Sequence, residues 1–461
     1  MKFKTFILTF LMMMSSPFLF GHQTGANYDW DNIASLQDNA KMDTQFQSGD
    51  NSRGSSEAVA QIGSNTYETL QAAVDAAENG DVIEVISDVI LTETLNIPNG
   101  KIITLDLNGK VVSKTFTENK ADDLIVNKGS LVITDNTETK TGKVTYKYTG
   151  QPDSNYTYDN ATIQNEGTLT ILAGIVENTT QKMSHASYAI NTNAGATLNI
   201  EGGKVLNLNG HAIRMVSFGT AQNTVNVSGG YIEGTRALQV QLPGSASSPS
   251  KPAMDINISG GELKSNEDTY NLAIYVYSNG QSAENLINLE ISGDAIINGN
   301  VALNAAATNT MQANTAIVSG GTINGAYGIF SYADDNDHTQ SVIEITGGTF
   351  ATGYSAWYAE DDGYIFVETG DGTYGVVEEG SVAQIVGGQG YTTLAGAFGA
   401  VENGETIIML ANVDVAVSLN NAKNITLDLN GKTIAGTDNT TSNFGLIHNT
   451  AELTITDNSA A

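Results

Sequence analysis

Arg214 and Arg236 head the residues that could do chemistry, since the chain of 461 residues holds one further arginine, Arg53. Abstracting the α-proton of a uronate calls for calcium-binding carboxylates beside an arginine or lysine base. Neither arginine lies in a run of carboxylates, and the repeat positions around them are Asn, Gln and Tyr. Inverting glycoside hydrolysis calls for two carboxyl groups roughly 6.5 to 9.5 Å apart. No Asp-Asp pair falls on strand-forming sequence: Asp361-Asp362 belongs to a terminal turn, and Asp334-Asp335-Asn336-Asp337 to a loop. The carboxylates of Asp334, Asp335 and Asp337 suit a hard cation, so calcium is the one cofactor left open, although the spacing and closing glutamate of an EF-hand are missing. His211, in Gly210-His-Ala-Ile-Arg214, holds a place that recurs with other residue types, which reads as structural. No catalytic residue is assigned.

Strands must position these side chains. Leu198-Asn-Ile-Glu-Gly-Gly-Lys-Val205 returns as Val225-Asn-Val-Ser-Gly-Gly-Tyr-Ile232, Ile256-Asn-Ile-Ser-Gly-Gly-Glu-Leu263, Leu289-Glu-Ile-Ser-Gly-Asp-Ala-Ile296, Ala316-Ile-Val-Ser-Gly-Gly-Thr-Ile323 and Ile343-Glu-Ile-Thr-Gly-Gly-Thr-Phe350, with Leu169-Thr-Ile-Leu-Ala-Gly-Ile-Val176 as a weaker first member. The residue two before the glycine pair gives the column Ile171, Ile200, Val227, Ile258, Ile291, Val318 and Ile345, spaced 27 to 33 residues apart. Apolar and polar residues alternate with period two, β-branched types are frequent, and glycines end each copy where a tight corner is needed. A second signature runs in step: Tyr188-Ala-Ile190, His211-Ala-Ile213, Arg236-Ala-Leu238, Leu272-Ala-Ile274, Val301-Ala-Leu303, Tyr327-Gly-Ile329 and Ser355-Ala-Trp357. Two registers recurring together predict a solenoid of stacked coils, each with three short strands. Ile258 should then point inward and Asn257 outward.

A coarser repeat encloses this one. Val59-Ala-Gln-Ile62 recurs as Val382-Ala-Gln-Ile385, and Ile103-Thr-Leu-Asp-Leu-Asn-Gly-Lys110 recurs 322 positions on as Ile425-Thr-Leu-Asp-Leu-Asn-Gly-Lys432. The expected organisation is one complete unit over residues 58–380 and the start of a second, truncated unit over 381–461. That truncation makes the chain read as a fragment of a longer reading frame. Ahead of both, Lys2 and Lys4 precede an apolar run that fits a secretory signal peptide over residues 1–21. Residues 22–57 are polar and patternless and read as a disordered linker.

The chain carries 20 basic and 50 acidic residues, a formal charge of −30, and no cysteine. Phosphate recognition needs a clustered basic face, so nucleic acid is excluded as a partner. Disulfides and thiolate metal sites are excluded outright. No window beyond the signal peptide is apolar enough to span a membrane, and the expected location is outside the cell or on its surface.

On these motifs the chain resembles the pectate-lyase-like right-handed parallel β-helix superfamily, and is similar to tandem β-helix modules of bacterial surface proteins. Tyr67-Glu-Thr-Leu-Gln-Ala-Ala-Val-Asp-Ala-Ala-Glu-Asn-Gly80 resembles that superfamily's capping helix, with Leu70, Ala73, Val74 and Ala77 as its apolar face and Gly80 ending it. Asp371-Gly-Thr-Tyr-Gly-Val-Val377 resembles the hairpin that closes such a unit. The resemblance implies an all-β solenoid with an N-terminal capping helix. It does not fix an activity, because this fold carries lyases, hydrolases, esterases and adhesins.

Two functions from different classes follow: a non-catalytic surface module that adheres to polysaccharide or host glycan, or a polysaccharide-degrading enzyme. The missing acid–base constellation favours the first. One residue beyond the inward Ala-Ile positions, alternation turns Asn191, Arg214, Gln239, Tyr275, Asn304, Phe330 and Tyr358 outward, with Tyr277 and Tyr332 two residues on. Aromatic faces stack on sugar rings and amides bond hydroxyls, so Arg214, Gln239, Tyr275, Tyr277, Phe330, Tyr332 and Tyr358 are the candidate glycan-binding residues. A flat Thr-x-Thr ladder of the ice-binding kind is absent, since the outward residues of the glycine-ending strand run Thr170, Asn199, Asn226, Asn257, Glu290, Ile317 and Glu344.

Overall fold

The computed structural model describes residues 57–118, 122–150, 160–181, 187–193, 195–216, 222–242, 254–267, 269–278, 287–305, 314–331, 341–360, 362–369, 372–436 and 445–459. The proposed signal peptide, the linker up to residue 56, Tyr332, and Asp334 to Asp337 lie outside them. The fold is all-β, with mostly parallel strands. One 29-stranded sheet runs from Ala60–Ile62 to Tyr374–Glu378, and a five-stranded sheet begins at Ala383–Ile385.

Within the large sheet, three parallel ladders follow from the sequence period. The first passes through Ile133, Ile171, Ile200, Val227, Ile258, Ile291, Val318 and Ile345, so the whole column of the glycine-ending strand is in register. The second runs Val112, Val144, Val176, Val205, Ile232, Leu263, Ile297, Ile323 and Phe350. The third runs Ile125, Ile163, Ile190, Ile213, Leu238, Ile274, Val301 and Ile329. All three columns are buried, and they form one continuous apolar core. Like side chains thus meet like at strand spacing, ~4.8 Å. On the outer side of the first ladder, Asn257 Nδ2 donates to Asn226 Oδ1 at 2.9 Å and Asn226 Nδ2 donates to Asn199 Oδ1 at 2.8 Å.

The glycine corners are as tight as the sequence suggests. Gly261 has φ +75°, and a Cβ there would stand 2.5 Å from the Gly229 carbonyl oxygen of the preceding repeat. A second kind of turn recurs between the two sheets. Asn108 and Gly109 both take positive φ, with Lys110 N donating to Leu107 O at 2.7 Å, the two-residue hairpin geometry that Asn-Gly favours. Asn430 and Gly431 repeat it. Asp106 braces the first turn, accepting from Asn108 N, Asn136 N and Asn136 Nδ2, and Asp428 makes the same three bonds to Asn430 and Asn458.

Helix α1 (Leu70–Ala76) starts at Thr69, whose side chain accepts from Ala72 N, and buries Leu70, Ala73 and Val74. The helix stops at Ala76, short of the Gly80 that the sequence suggested. Asp81 ends it early: its carboxylate accepts from Glu78 N and its own N–H donates to Glu78 O, folding residues 78–81 into a turn. Gln71 on α1 bonds both backbone groups of Asn96, donating to its carbonyl at 3.1 Å and accepting from its N–H at 2.9 Å. The side chain thereby stands in for a neighbouring strand. Helix α2 (Ala356–Glu360) is one short segment near the far end of the large sheet, followed by an antiparallel hairpin of Tyr364–Glu368 and Tyr374–Glu378. Helix α3 (Leu394–Ala400) repeats α1 down to its Thr393 N-cap and buries Leu394, Ala397 and Phe398 in a second core.

Candidate functional site

The outer side of the third ladder gathers the residues singled out by type. Its pairing runs Val126, Gln164, Asn191, Arg214, Gln239, Tyr275, Ala302 and Phe330. Two positions differ from the simple alignment of the Ala-Ile motifs. Ile274 pairs with Val301, two residues before the Leu303 that the motif alignment gives, and the register is irregular between Leu272 and Ile274, so Val301 continues the inward column. Ala302 consequently follows Tyr275, and Asn304 pairs with Tyr277 instead. The last motif, Ser355-Ala-Trp357, is not a strand: Trp357 and Tyr358 lie on α2, and Tyr358 is 4% exposed with its hydroxyl accepting from Ser331 N at 3.1 Å. Tyr358 therefore braces the ladder from beneath and presents no open ring face.

Arg214, Gln239, Tyr275 and Tyr277 do come together. Arg214 Nε donates to Gln241 Oε1 at 3.0 Å, and its guanidinium lies over the buried Tyr188 ring, 5.0 Å from the centroid. Arg236 Nη1 donates to Gln239 Oε1 at 2.9 Å, and its guanidinium lies over Tyr275 at 4.3 Å. Tyr275 and Tyr277 stack with planes 9° apart, and the Tyr275 hydroxyl accepts from Asn304 Nδ2 at 3.0 Å. Phe330 sits further along with Tyr327, ring centroids 6.1 Å apart, and Tyr327 meets Tyr354 edge-on. Guanidinium groups over aromatic faces are favourable cation–π pairs that hold both partners in place.

Arg236, Tyr188 and Gln241 join these residues. Gln241 lies two residues beyond Gln239 and so shares its side of the strand. Arg236 and Tyr188 each stand two residues before an inward Leu or Ile, where period two places an inward side chain. Tyr188 is accordingly buried, at 3% exposure, whereas Arg236 is half-buried, and the register is irregular between Asn207 and His211, just ahead of this strand. The signal was present in the composition of that position, which runs Tyr188, His211, Arg236 in successive repeats. His211 Nδ1 lies 3.0 Å from Thr235 Oγ1. Burial first, then the nearby Arg236 and Arg214, push its imidazole down to about 3, so it is neutral at ordinary pH.

A separate titratable cluster surrounds Lys114. Its ammonium donates to Asp122 Oδ1 at 2.6 Å, to Thr94 Oγ1 and to the Asp123 carbonyl, which uses all three of its protons. Burial pushes the Asp123 carboxyl up to about 6, against the bond it accepts from Ala161 N. An open cavity of about 420 Å³, lined by Lys264, Ser265, Asn266, Glu267 and Asn271, lies beside the second ladder and apart from the aromatic face. Among the described residues no group of three or more His, Cys, Asp or Glu side chains is gathered as a metal site. The calcium candidates Asp334, Asp335 and Asp337 and the candidate Tyr332 lie outside those residues. No helix among them is long and apolar enough to cross a membrane. No family model, curated protein or solved structure matches this chain.

Proposed function

We propose that this chain is an exported, surface-displayed module that binds glycan without transforming it, through the outer face of its third ladder. In this reading the three ladders are the sides of a right-handed parallel β-helix of the pectate-lyase-like type, α1 caps its first coil, and residues 381–461 open a second unit. The parallel registers, the buried like-on-like columns and the Gln71–Asn96 edge bonds support the architecture. The observation that carries the function is the convergence of Arg214, Arg236, Gln239, Gln241, Tyr275 and Tyr277 on one face, pre-ordered by cation–π and amide contacts. Rings held in place lose little freedom on binding, and Tyr275 with Tyr277, two residues apart on one strand, suits contact with sugar rings.

Affinity-gel electrophoresis in neutral and acidic polysaccharides tests the reading. Replacing Tyr275, Tyr277 and Phe330 together by alanine should abolish retardation while the far-ultraviolet dichroism stays that of the parent. Unchanged retardation in a folded triple variant refutes it. Release of reducing ends or unsaturated uronates from the same polysaccharides would replace it with the degradative reading.

A further inference from the structure

Among the ion pairs of the described residues, Lys114–Asp122 is the one withdrawn from water at both ends, with side-chain exposures of 3% and 11% against 17% or more at every member of the others. Lys114 takes an inward position on the strand Val111–Phe116, two residues past Val112 of the second ladder and beside Tyr146 of the next coil. Asp122 stands just ahead of the strand Ile125–Asn127, which belongs to the third ladder. An ion pair in an apolar interior returns little beyond what its loss of hydration costs. This one is incomplete as well. Asp122 Oδ1 accepts from Lys114 Nζ at 2.6 Å, whereas Asp122 Oδ2 is shielded from solvent and has no hydrogen-bond partner. A buried acceptor without a donor is costly, and natural folds leave few of them. An amide would keep only one of the two oxygens and would carry no charge.

We propose that Lys114 and Asp122 are a modification site, at which the chain closes an amide cross-link between Lys114 Nζ and Asp122 Cγ by itself. One ammonium proton passes to the carboxylate, and Nζ attacks Cγ with the lone pair so freed. The Cγ–Oδ2 bond then breaks, and the oxygen leaves as one water with that proton and a second from nitrogen. The third proton stays on the amide, and no oxidant or co-reactant is consumed. A nitrogen within hydrogen-bond reach of a carboxylate oxygen stands near the ~3 to 3.5 Å from carbon at which reacting atoms meet, and pairs held in this way reach effective molarities of ~10⁵ to 10⁸ M. Thr94 Oγ1 and the Asp123 carbonyl accept the other two Nζ protons and aim the amine. The Asp123 carboxyl stays outside the reaction, turned to Ala161 N at 2.7 Å. The product is a rung across the inside of one coil, from the second ladder to the third, and it stands independently of the glycan reading.

Peptide mass mapping of the full chain, folded, then denatured and digested with trypsin, tests this directly. Lysines at 110, 114, 120 and 128 divide an unlinked chain into the peptides 111–114, 115–120 and 121–128. An acylated Lys114 is no longer cleaved, so the cross-linked chain should give instead one branched product, 111–120 joined to 121–128 and lighter than their sum by one water. Fragmentation of that product should place the branch at Lys114 and Asp122. Recovery of the three simple peptides alone means that the pair remains ionic and overturns the proposal, as does a branch at any other lysine or carboxyl group. Lys114→Arg keeps a cation whose guanidinium is always protonated and so cannot attack, and Asp122→Ala removes the acyl group. The branched product should be lost entirely from both variants, and its survival in either overturns the assignment. Should neither variant fold, the map of the parent chain decides the question alone.

Discussion

Asp123 and His211 give the fold two acid–base dependences of opposite sign. The Asp123 carboxyl, raised from 3.8 to about 6 chiefly by burial, binds its proton more tightly in the fold than in the unfolded chain. Its contribution is fully present below pH 3.8 and is lost as pH climbs through about 6. Asp123→Asn should raise the melting temperature above pH 6 and leave it nearly unchanged below pH 3.8, because an amide oxygen can still accept from Ala161 N. His211 behaves the other way. With its imidazole lowered from 6.5 to about 3, the unfolded chain takes up a proton that the fold refuses, so stability falls as pH drops from 6.5 toward 3. His211→Gln should flatten that decline, and melting curves across the range would show it. On the strand Met254–Ser265, Ile258 is fully buried and Asn257 beside it is exposed. Ile258→Ala should cost ~2 to 5 kcal/mol in a denaturant titration and Asn257→Ala under ~0.5, a contrast that comparable losses would contradict.

The elements depend on their corners more than on their strands. Gly261 combines a left-handed backbone with a neighbouring carbonyl carbon 2.7 Å from any added Cβ. Gly261→Ala should therefore destabilise by ~2 to 4 kcal/mol, adding the strain of a left-handed non-glycine to that of overpacking. Loss of less than ~1 kcal/mol on urea unfolding would mean the corner relaxes freely. The strand register was legible because period-two alternation and the recurrence every 27 to 33 residues constrain the same residues twice, as at Val227 and Ile258. What the alternation could not show is where a strand bends or bulges. The register is irregular between Leu272 and Ile274 without any break in the pattern of residue types, and Asn304 falls opposite Tyr277, two residues out of the Tyr275 column. Trp357 and Tyr358 read as one more strand because both are strand formers, but the Thr352 side chain accepts from Tyr354 N and starts a 3₁₀ turn that runs into α2. Arg214, Gln239 and Tyr275 share the ladder that alternation gave, but Gln239, like Asn191 before it, is 5% exposed and so is not turned to solvent as alternation placed it. Tyr188 is buried as its period-two position requires, and Arg236 is half-buried.

At the scale of the whole molecule, repeated sequence gives repeated local structure. The Thr69 cap and buried Leu70 of α1 return as the Thr393 cap and buried Leu394 of α3, and the brace that Asp106 makes returns at Asp428. The glycine corners bear on heredity as well. Each corner rests backbone on backbone against the one before it, as Gly261 does on Gly229, so a residue inserted inside a corner would part that pair. Between corners the repeats differ in length by several residues and the ladders stay in register across them. It follows that genes for such chains can change length by single codons in the loops or by recombination of whole repeats, and not within the corners.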